Sequence, residues 1–497
     1  MNVNPMTPIT SVKILRNVPL DKSYSDTLDF SDVSSQISYF TGKAKFTFTE
    51  LSPVRLQNEL RLPVTADSVY DCNYIMFQNA NFGTKWFYAF INEINFVNVN
   101  MCTISIELDV WQTWQFDITV KPSFVEREHI EHDTVGANLI HENLELGDYV
   151  SASFDGTNMM GEKAIVVAAT TDAEGTKVSG GTYCGIYSGL YYSVFDSYSG
   201  VNAMIEKLTE GNKSDAIVSI YMMPKAFVGD IGSSAKTYDI TKPMKLDNIN
   251  GYIPKNKKLF THPFNFMYIS NMQGTSAEFH YEYFDAISCT FGLAADMSCN
   301  SQVILYPQNY KGISANFNEK MVLDGFPQCA YTTDSFKAWL AQNGASTAVS
   351  MLGSALTTGV GMASMNPMVA ASGAMGIAST LAQTTATASQ PRQAHGASGS
   401  TANFAMGIKD FAFMQMSIRK EYAQLIDEYF SMYGYATHRV KVPNIKGRPS
   451  WNYVKTLEAK IIGSVPFGDM EKIKAMFNSG VTFWHGDYVG DYTRNNN

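Results

Sequence analysis

The sequence predicts a mainly β protein with α+β parts, into which one hydrophobic loop or hairpin is inserted. Aromatic residues make up 13% of the chain, with 27 Tyr and 30 Phe, whereas charged residues make up only 17%. This composition favours many half-buried strands whose side chains stack on one another. The exception runs from Ala338 to Pro391, a segment without any Asp, Glu, Lys or Arg. A bilayer or a sealed protein interior tolerates such a segment, and a water-exposed loop normally avoids it.

Residues 1–147 are predicted to be the N-terminal part of a β scaffold. Apolar and polar residues alternate there, or form apolar runs that end at turn residues. The predicted strands are Val12–Leu15, Ala44–Thr49, Cys72–Gln78, Lys85–Val99 and Met101–Val110. Asn81, Phe82 and Gly83 predict a hairpin turn between the third and fourth strands, and the fifth pairs with the fourth. We expect the last two strands to expose edges, which closure into a ring would remove.

Residues 148–335 are predicted to be a second β-rich region, with many Gly, Ser and Asn turns. One helical pattern, Asn202–Leu208, precedes a strand at Ala216–Met222. No internal repeat is visible in this region. We therefore treat it as a separate, β-rich middle region.

Residues 409–497 change pattern and predict a compact α+β unit. The predicted strands are Phe411–Ile418, Val440–Val442, Asn452–Ile462 and Val481–Trp484. An amphipathic helix, Arg419–Tyr433, ends at Gly434, and a second helix runs from Asp469 to Ser479. We expect this unit to complete the N-terminal sheet system, because the strands around Tyr74 and Trp86 need a covering face.

The charge-free segment lies within a predicted membrane-active loop, residues 336–408. Asn366 and Pro367 stand near its middle, a turn signal that predicts a hairpin. As helices, the arms Leu340–Met365 and Met368–Ser389 would measure about 39 and 33 Å at ~1.5 Å per residue. Either arm would be long enough to cross a hydrocarbon core of ~30 Å.

Each arm of this loop carries small residues at every fourth position, which would let helix backbones approach closely. These residues are Ser346, Ser350, Ser354 and Thr358, then Ala370, Ala374, Ala378, Ala382 and Ala386. The side chains predicted to enter a membrane are Val349, Met351, Leu352, Leu356, Val360, Met362, Met365, Met368, Val369, Met375, Ile377 and Leu381. Glycines weaken any helix here, so we predict a segment that is packed in one state and inserted in another. A flexible linker and a buried helical hairpin are alternatives that the composition leaves open.

Charge and cysteine content exclude several classes of protein. The net charge of −9 argues against a protein that grips nucleic acid, although an acidic or neutral wall would let DNA pass without tight binding. The cysteines, Cys72, Cys102, Cys184, Cys289, Cys299 and Cys329, form no CxxC pair. We expect them to be reduced and buried, with neither a disulfide framework nor a zinc site. The absence of a signal-peptide pattern indicates synthesis in a cytoplasm.

No catalytic residue, cofactor site or metal site is predicted, and the chain is interpreted as a protein without enzymatic activity. The densest group of possible ligands is Glu126, Glu128, His129, Glu131, His132, His141 and Glu142. A solvated polar surface is the preferred interpretation of this group, and a metal site is the alternative. His485 is predicted to form hydrogen bonds at a surface or interface. Nucleophile-elbow, Walker and dinucleotide-binding motifs are absent from the sequence.

Motifs on both flanks of the charge-free segment resemble one known family. They are Tyr74-Ile75-Met76-Phe77-Gln78-Asn79-Ala80, Lys85-Trp86-Phe87-Tyr88-Ala89-Phe90, Leu108-Asp109-Val110, Gln112-Thr113-Trp114, Phe116-Asp117-Ile118, Arg127-Glu128-His129, Tyr433-Gly434-Tyr435, Arg439-Val440, Pro443-Asn444, Asn452-Tyr453-Val454, Trp484-His485, and Gly490 with Tyr492. The chain resembles the tail knob, or distal tail tube, proteins of short-tailed phi-twenty-nine-like phages of Gram-positive bacteria. Residues 150–330 do not match these motifs.

The resemblance implies a β-rich tail-tube scaffold that forms a ring-shaped homohexamer at the distal end of the virion's tail. It implies that the hydrophobic loops plug the lumen and later form a pore in the host membrane for DNA ejection. Implied partners are other copies of the chain, other phage tail proteins such as the collar and appendages, the host cell membrane, and genomic DNA in the lumen. The first alternative is a receptor-binding tail protein that contacts cell-wall glycopolymer through aromatic residues such as Tyr187, Tyr191 and Tyr192. The second alternative is a wall-degrading tail enzyme.

Overall fold

A computed structural model describes most of the chain outside the charge-free segment. The described residues are 10–49, 51, 53–54, 59–79, 83–157, 163–171, 177–178, 182–183, 186–187, 190–228, 236–272, 274–295, 302–311, 321–324, 328–330 and 410–496. The chain divides into two compact units. Unit 1 comprises Met1–Glu145, Pro254–Lys258 and Gln424–Asn497, and unit 2 comprises Leu146–Ile253 and Leu259–Ala423.

The N-terminal elements all belong to unit 1. They are β1 (Thr10–Arg16), β2 (Asp26–Leu28), α1 (Val33–Gly42), β3 (Ala44–Phe48), β4 (Pro53–Val54), β5 (Glu59–Leu62), α2 (Ala66–Val69), β6 (Cys72–Asn79), β7 (Trp86–Asn98), β8 (Met101–Leu108), α3 (Val110–Trp114), β9 (Ile118–Val120) and β10 (Ser123–Glu128). Each of the five strands predicted in this part is confirmed. Antiparallel pairing of β6 with β7 and of β7 with β8 confirms the predicted pairing of these strands, whereas Asn81 and Phe82 of the predicted turn lie outside the described residues.

The middle elements belong to unit 2. They are β11 (Tyr149–Gly156), β12 (Lys163–Ala169), β13 (Lys177–Val178), β14 (Thr182–Tyr183), β15 (Ile186–Tyr187), β16 (Tyr191–Phe195), α4 (Tyr198–Glu210), β17 (Ile217–Pro224), β18 (Lys236–Pro243), β19 (Asn265–Ser270), β20 (Ser276–Phe279), β21 (Ser288–Ala295), β22 (Gln302–Pro307), β23 (Met321–Asp324) and β24 (Gln328–Ala330). Short 3₁₀ helices lie at Ser214–Ala216, Lys225–Phe227, Lys257–Phe260 and Tyr281–Tyr283. The predicted helix and the strand after it correspond to α4 and β17.

The C-terminal elements follow the predicted order, except that the single strand predicted at Asn452–Ile462 is two strands, Trp451–Leu457 and Ile461–Gly463, which lie in different sheets. They are β25 (Ala412–Ile418), α5 (Lys420–Tyr433), β26 (Tyr435–Lys441), β27 (Trp451–Leu457), β28 (Ile461–Gly463), α6 (Phe467–Ser479) and β29 (Val481–Trp484). The prediction that they form one compact unit is wrong for β25, which pairs with β11 and β19 in unit 2. The division between the units falls inside α5, between Ala423 and Gln424. Long-range strand pairing, which local periodicity does not reveal, determines where β25 belongs.

Unit 1 contains two large sheets. The seven-stranded sheet has the order β3-β1-β6-β7-β8-β5-β4, and the five-stranded sheet has the order β2-β29-β27-β10-β26. The predicted edges of β7 and β8 are therefore largely wrong, because both strands lie inside the first sheet. Beyond Phe90, β7 has β8 as its one partner strand among the described residues, and Phe96 near its end is 68% exposed.

Aromatic side chains join the two sheets of unit 1 in one core. Tyr74 and Tyr88 of the first sheet pack with Trp451 and Trp484 of the second, and Phe40 of α1 contacts both tyrosines. The Phe40 and Tyr74 rings are stacked, with centroids 5.4 Å apart. Packing of Trp451 and Trp484 in this core confirms the predicted covering of the strands around Tyr74 by the C-terminal part, because burial of such rings stabilises the pair of sheets.

Segment 254–258 belongs to unit 1 because side chains of that unit hold its backbone. Asp427 of α5 accepts hydrogen bonds from the backbone N–H of Lys255 at 2.8 Å and of Asn256 at 2.9 Å. Asp133 accepts another from the backbone N–H of Lys257 at 2.7 Å. These contacts fix the backbone of the segment, and they satisfy the backbone N–H of Asn256, which is buried.

Unit 2 is built from smaller sheets around its own core. Their strand orders are β11-β25-β19-β20, β13-β16-β12-β17-β24, β18-β21-β22-β23 and β14-β15. The core contains aliphatic residues from β12, β21 and β22 and a cluster of aromatic rings. Phe279, Phe291 and Phe413 are buried in it, with the Phe291 and Phe413 centroids 5.4 Å apart. The β-rich middle predicted from turn residues is therefore confirmed as β.

Candidate functional site

The predicted membrane-active loop lies outside the described residues. This holds for the turn residues Asn366 and Pro367, and for every predicted membrane-entering and small-residue position between Ser346 and Ala386. Their roles remain predictions. In the part of the chain that the structure covers, no helix is both long enough and apolar enough to span a membrane.

The strands that flank the loop are both integrated into sheets of unit 2. On the N-terminal side, β24 pairs with β17 at the edge of its sheet, with Ala330 opposite Ser219. On the C-terminal side, β25 lies between β11 and β19, and Phe411 and Phe413 at its start are buried in the unit 2 core. Residues 331–409 therefore connect two paired strands.

Buried ion pairs of unit 1 occupy the polar segment for which the sequence favours a solvated surface. Glu142 forms ion pairs with Arg127 and Lys258, and its side chain is 5% exposed. Glu128 is fully buried, pairs with Lys441, and accepts a hydrogen bond from the backbone N–H of Asn444 at 2.8 Å. The interpretation as a solvated face is wrong for these residues, because partners far along the chain neutralise charges that burial would make costly.

His129 lies in the same buried segment, and its hydrogen bonds define its tautomer. The backbone N–H of Tyr453 donates to Nδ1 at 2.8 Å, so Nε2 carries the proton and donates to the carbonyl oxygen of Ser431 at 3.1 Å. Burial and then the nearby charge of Arg448 lower the pKa of His129 to about 3. His132, in contrast, has a side chain that is 87% exposed, so the two histidines do not form a common site.

Motif residues that carry the family resemblance meet inside unit 1. The Tyr74 hydroxyl donates to Oδ2 of Asp109 at 2.8 Å, and the backbone N–H of Gln112 donates to Oδ1 at 3.0 Å. Asp109 thereby caps the N-terminus of α3. Burial raises the pKa of its carboxyl to about 6. Tyr74, Asp109 and Gln112 are buried, so these motif residues stabilise the scaffold and do not line a binding site.

An exposed apolar row crosses one end of the five-stranded sheet of unit 1. Phe124 of β10 is paired directly with Val440 of β26 on one side and with Leu457 of β27 on the other. Directly paired residues point to the same face of a sheet, so the three side chains are neighbours. Phe124, Val440 and Leu457 are 37%, 69% and 51% exposed. We call these three residues the apolar row; sequence periodicity alone did not reveal it, because it depends on pairing between distant strands.

The structure also describes several of the cysteines, His485 and two of the tyrosines that the sequence singles out. Cys72, Cys102 and Cys289 are buried free thiols, as predicted. His485 lies 3.1 Å from Oδ1 of Asn452 through Nε2, in agreement with the predicted hydrogen bonding. Tyr192 is 5% exposed and Tyr191 is 41% exposed. In the described ranges, the one group of acidic, histidine and cysteine side chains close enough to share a metal ion is His262, Glu278 and His280.

Comparison with known proteins identifies a class of phage tail proteins for both ends of the chain. A family model described as the C-terminal domain of tail knob protein gp9 of Bacillus phage phi29 matches residues 230–497. A second model, described as the N-terminus of caudoviral major tail proteins, matches residues 8–119. The chain is thus a structural protein of a phage tail. It belongs to the tail knob family of phi29 gp9, which confirms the resemblance seen in the flanking motifs.

Individual relatives extend this likeness over almost the whole chain. The tail knob protein gp9 of Bacillus phage B103 is 26% identical, and that of Bacillus phage phi29 is 24% identical. Each alignment covers 98% of this chain and 98% of the relative. The solved structure of the tail knob protein gp12 of bacteriophage C1 matches with a TM-score of 0.66 and 14% identity, again over 98% of both chains. The fold of unit 1 and unit 2 is therefore that of a tail knob.

Proposed function

We propose that this chain forms a homohexameric tube at the distal end of the tail and opens a pore in the host membrane for DNA ejection. In this proposal the genome passes through the lumen, and the loop at 336–408 enters the membrane. The tube also contacts other tail proteins of the virion. The protein acts structurally and not as an enzyme.

The observation that carries the proposal is the uncharged segment between two anchored strands. Ala338–Pro391 contains no acidic or basic residue, and β24 and β25 on its two sides are paired within sheets of unit 2. Transfer of each charged side chain into a bilayer would cost about 3 kcal/mol. An uncharged segment avoids this cost, and its paired flanks allow it to change environment while the scaffold stays folded.

Self-association is supported by two features of the five-stranded sheet in unit 1. The apolar row exposes three neighbouring large side chains, and β26 is an edge strand in the sheet order of the described residues. Edge strands that carry exposed apolar residues tend to pair with another chain. We infer that a second copy of this chain covers the apolar row in the ring.

The oligomeric state tests this assembly. Wild-type protein should be a closed hexamer by light scattering and in single-particle images. Replacing Val440→Asp together with Leu457→Asp should shift the mass towards the monomer, because desolvating two carboxylates opposes burial of the face. Val33→Asp is the control, since Val33 is an apolar residue that is 50% exposed at the start of α1 and is not part of the row.

Two outcomes would count against this assembly. A strictly monomeric wild-type protein at micromolar concentration would contradict the ring itself. A hexameric Val440→Asp, Leu457→Asp variant would leave the ring in place and would exclude the apolar row as its contact.

A further inference from the structure

Two histidines and two glutamates meet beside the β19–β20 hairpin of unit 2. His262 precedes β19 by three residues, Glu278 lies on β20, and His280 follows directly after β20. Because β19 and β20 are antiparallel, with Met267 opposite Phe279, the start of one strand lies next to the end of the other. The hairpin thus brings His262 and His280 to its open end.

The two imidazole rings are nearly parallel and in contact. Their centroids are 3.8 Å apart, with an angle of 5° between the ring planes. Nε2 of His262 lies 3.7 Å from Oε2 of Glu278. One ligand atom from each of His262, Glu278 and His280 lies within 4.8 Å of the other two. Two imidazoles and one carboxylate therefore converge on one small volume.

Glu282 and neighbouring rings hold this group in place. The Glu282 side chain is 3% exposed and accepts hydrogen bonds from the backbone N–H of His262 at 3.2 and 3.3 Å. The same carboxylate lies 3.8 Å from Nδ1 of His280. The ring of Tyr283 stacks on His280, and the edge of Phe266 contacts His262. The Glu282 carboxylate is too far from Nδ1 of His280 for a hydrogen bond, so it acts on that imidazole as a nearby negative charge, while the contact with Tyr283 orients the ring.

We propose that His262, Glu278 and His280 bind one divalent transition-metal ion, with Zn²⁺ as the preferred ion. Two histidines and one carboxylate are a common protein donor set for Zn²⁺, whereas Ca²⁺ and Mg²⁺ prefer oxygen ligands alone. Ligand atoms in a tetrahedral zinc site are separated by about 3.3 Å, so the donor atoms need to approach by less than ~2 Å, and one imidazole has to turn out of the stack so that the lone pairs of both rings point at the ion. The Glu278 side chain is 50% exposed and free to make that movement, and solvent supplies the fourth ligand.

The bound ion would join the start of β19 to the end of β20. Since β19 also pairs with β25, we expect the ion to stabilise the sheet in which the chain continues after residue 409.

Titration of the metal-free full-length protein with ZnCl₂ at neutral pH tests the site. Calorimetry should give one ion per chain in the wild type, and Co²⁺ should give the visible absorption of a tetrahedral complex. His280→Ala should weaken Zn²⁺ binding by more than about 10-fold, and Glu282→Gln by about 10-fold through loss of the supporting carboxylate. His132→Ala is the matched control, because His132 is an exposed histidine beside Glu131 and is not part of the group of His262, Glu278 and His280.

Two results would overturn the proposal. Zn²⁺ binding that is unchanged in His280→Ala would place the ion elsewhere, and no Zn²⁺ binding by the wild type at millimolar concentration would exclude the site. The Co²⁺ spectrum needs only the wild type, so a variant that fails to fold does not leave the proposal untested. MgCl₂ should not compete. Neither measurement depends on ring formation or on membrane activity.

Discussion

His129 shows that a polar motif can be buried when distant parts of the chain supply its hydrogen-bond partners. The sequence Arg127-Glu128-His129 suggests a surface, but Glu128 and His129 are buried, with partners more than 300 positions along the chain. Sequence proximity gives no information on such partners. The same limit applies to His262, Glu278 and His280. Only the spacing of Glu278 and His280, two residues apart and therefore on one face of an extended strand, was available as a signal.

The neutral state of His129 predicts a pH-dependent stability. Its pKa falls from the ordinary value of 6.5 to about 3 in the folded protein, so between these values the unfolded chain binds the extra proton. Stability is therefore present above pH 6.5 and is lost as the pH falls, by about 3 kcal/mol of unfolding free energy near pH 4. The charges of Arg448 and Arg127 act in the same direction.

Denaturant unfolding across this pH range should detect the contribution. His129→Gln should lose stability at neutral pH, because its hydrogen bonds are disturbed, but should show a weaker decline towards acid. His132→Gln should keep the wild-type decline, since His132 is exposed. Equal pH dependence in wild type and His129→Gln would show that His129 is not the titrating group.

At the level of elements, helix and strand periodicity predicted much of the scaffold. The alternation in β6, β7 and β8 and the apolar face of α5 follow from side-chain period alone. Side-chain period does not determine the sheet to which β25 belongs, because a short apolar strand can pair with strands of either unit. Residues 410–423 consequently lie in unit 2, whereas the predicted boundary at residue 409 grouped them with the C-terminal part.

The end of α5 depends on a glycine for two reasons. Gly434 has a φ of +63°, and a Cβ there would lie 2.1 Å from the carbonyl oxygen of Glu128. Gly434→Ala should therefore lower the free energy of unfolding by more than about 1 kcal/mol, since both strain and a backbone clash oppose it. Gly468→Ala in α6 is the control: its Cβ meets open space, so stability should hold or rise. Equal effects in thermal unfolding would refute the argument.

The small-residue stripe of the loop also predicts a specific result at this level. Ala374→Leu with Ala378→Leu should reduce dye release from liposomes, because larger side chains block close approach of two helices. Ala371→Leu with Met375→Leu raises hydrophobicity beside the stripe and serves as the control. If the Ala374, Ala378 variant releases dye better than wild type, the stripe reflects composition and has no packing role.

At the level of the whole molecule, composition and family membership agree on a structural tail protein. Net charge adds a prediction about the lumen. With −9 charges and no basic stripe in the sequence, the assembled protein should not retain DNA. Fluorescence anisotropy with duplex DNA at physiological salt should give a Kd weaker than about 1 μM. Submicromolar binding would contradict a channel through which DNA slides.

We expect one segment to supply membrane activity to a scaffold that folds without it. Both flanking strands are paired, and each unit has its own apolar core. A variant lacking Ala338–Ala402 should therefore fold and keep the oligomeric mass of the full-length protein.

Dye release from liposomes, measured for the full-length protein and this deletion variant side by side, tests the claim most directly. The full-length protein should release dye, and the deletion variant should release none at equal oligomer concentration. Undiminished release by an assembled deletion variant would show that membrane activity does not come from this segment.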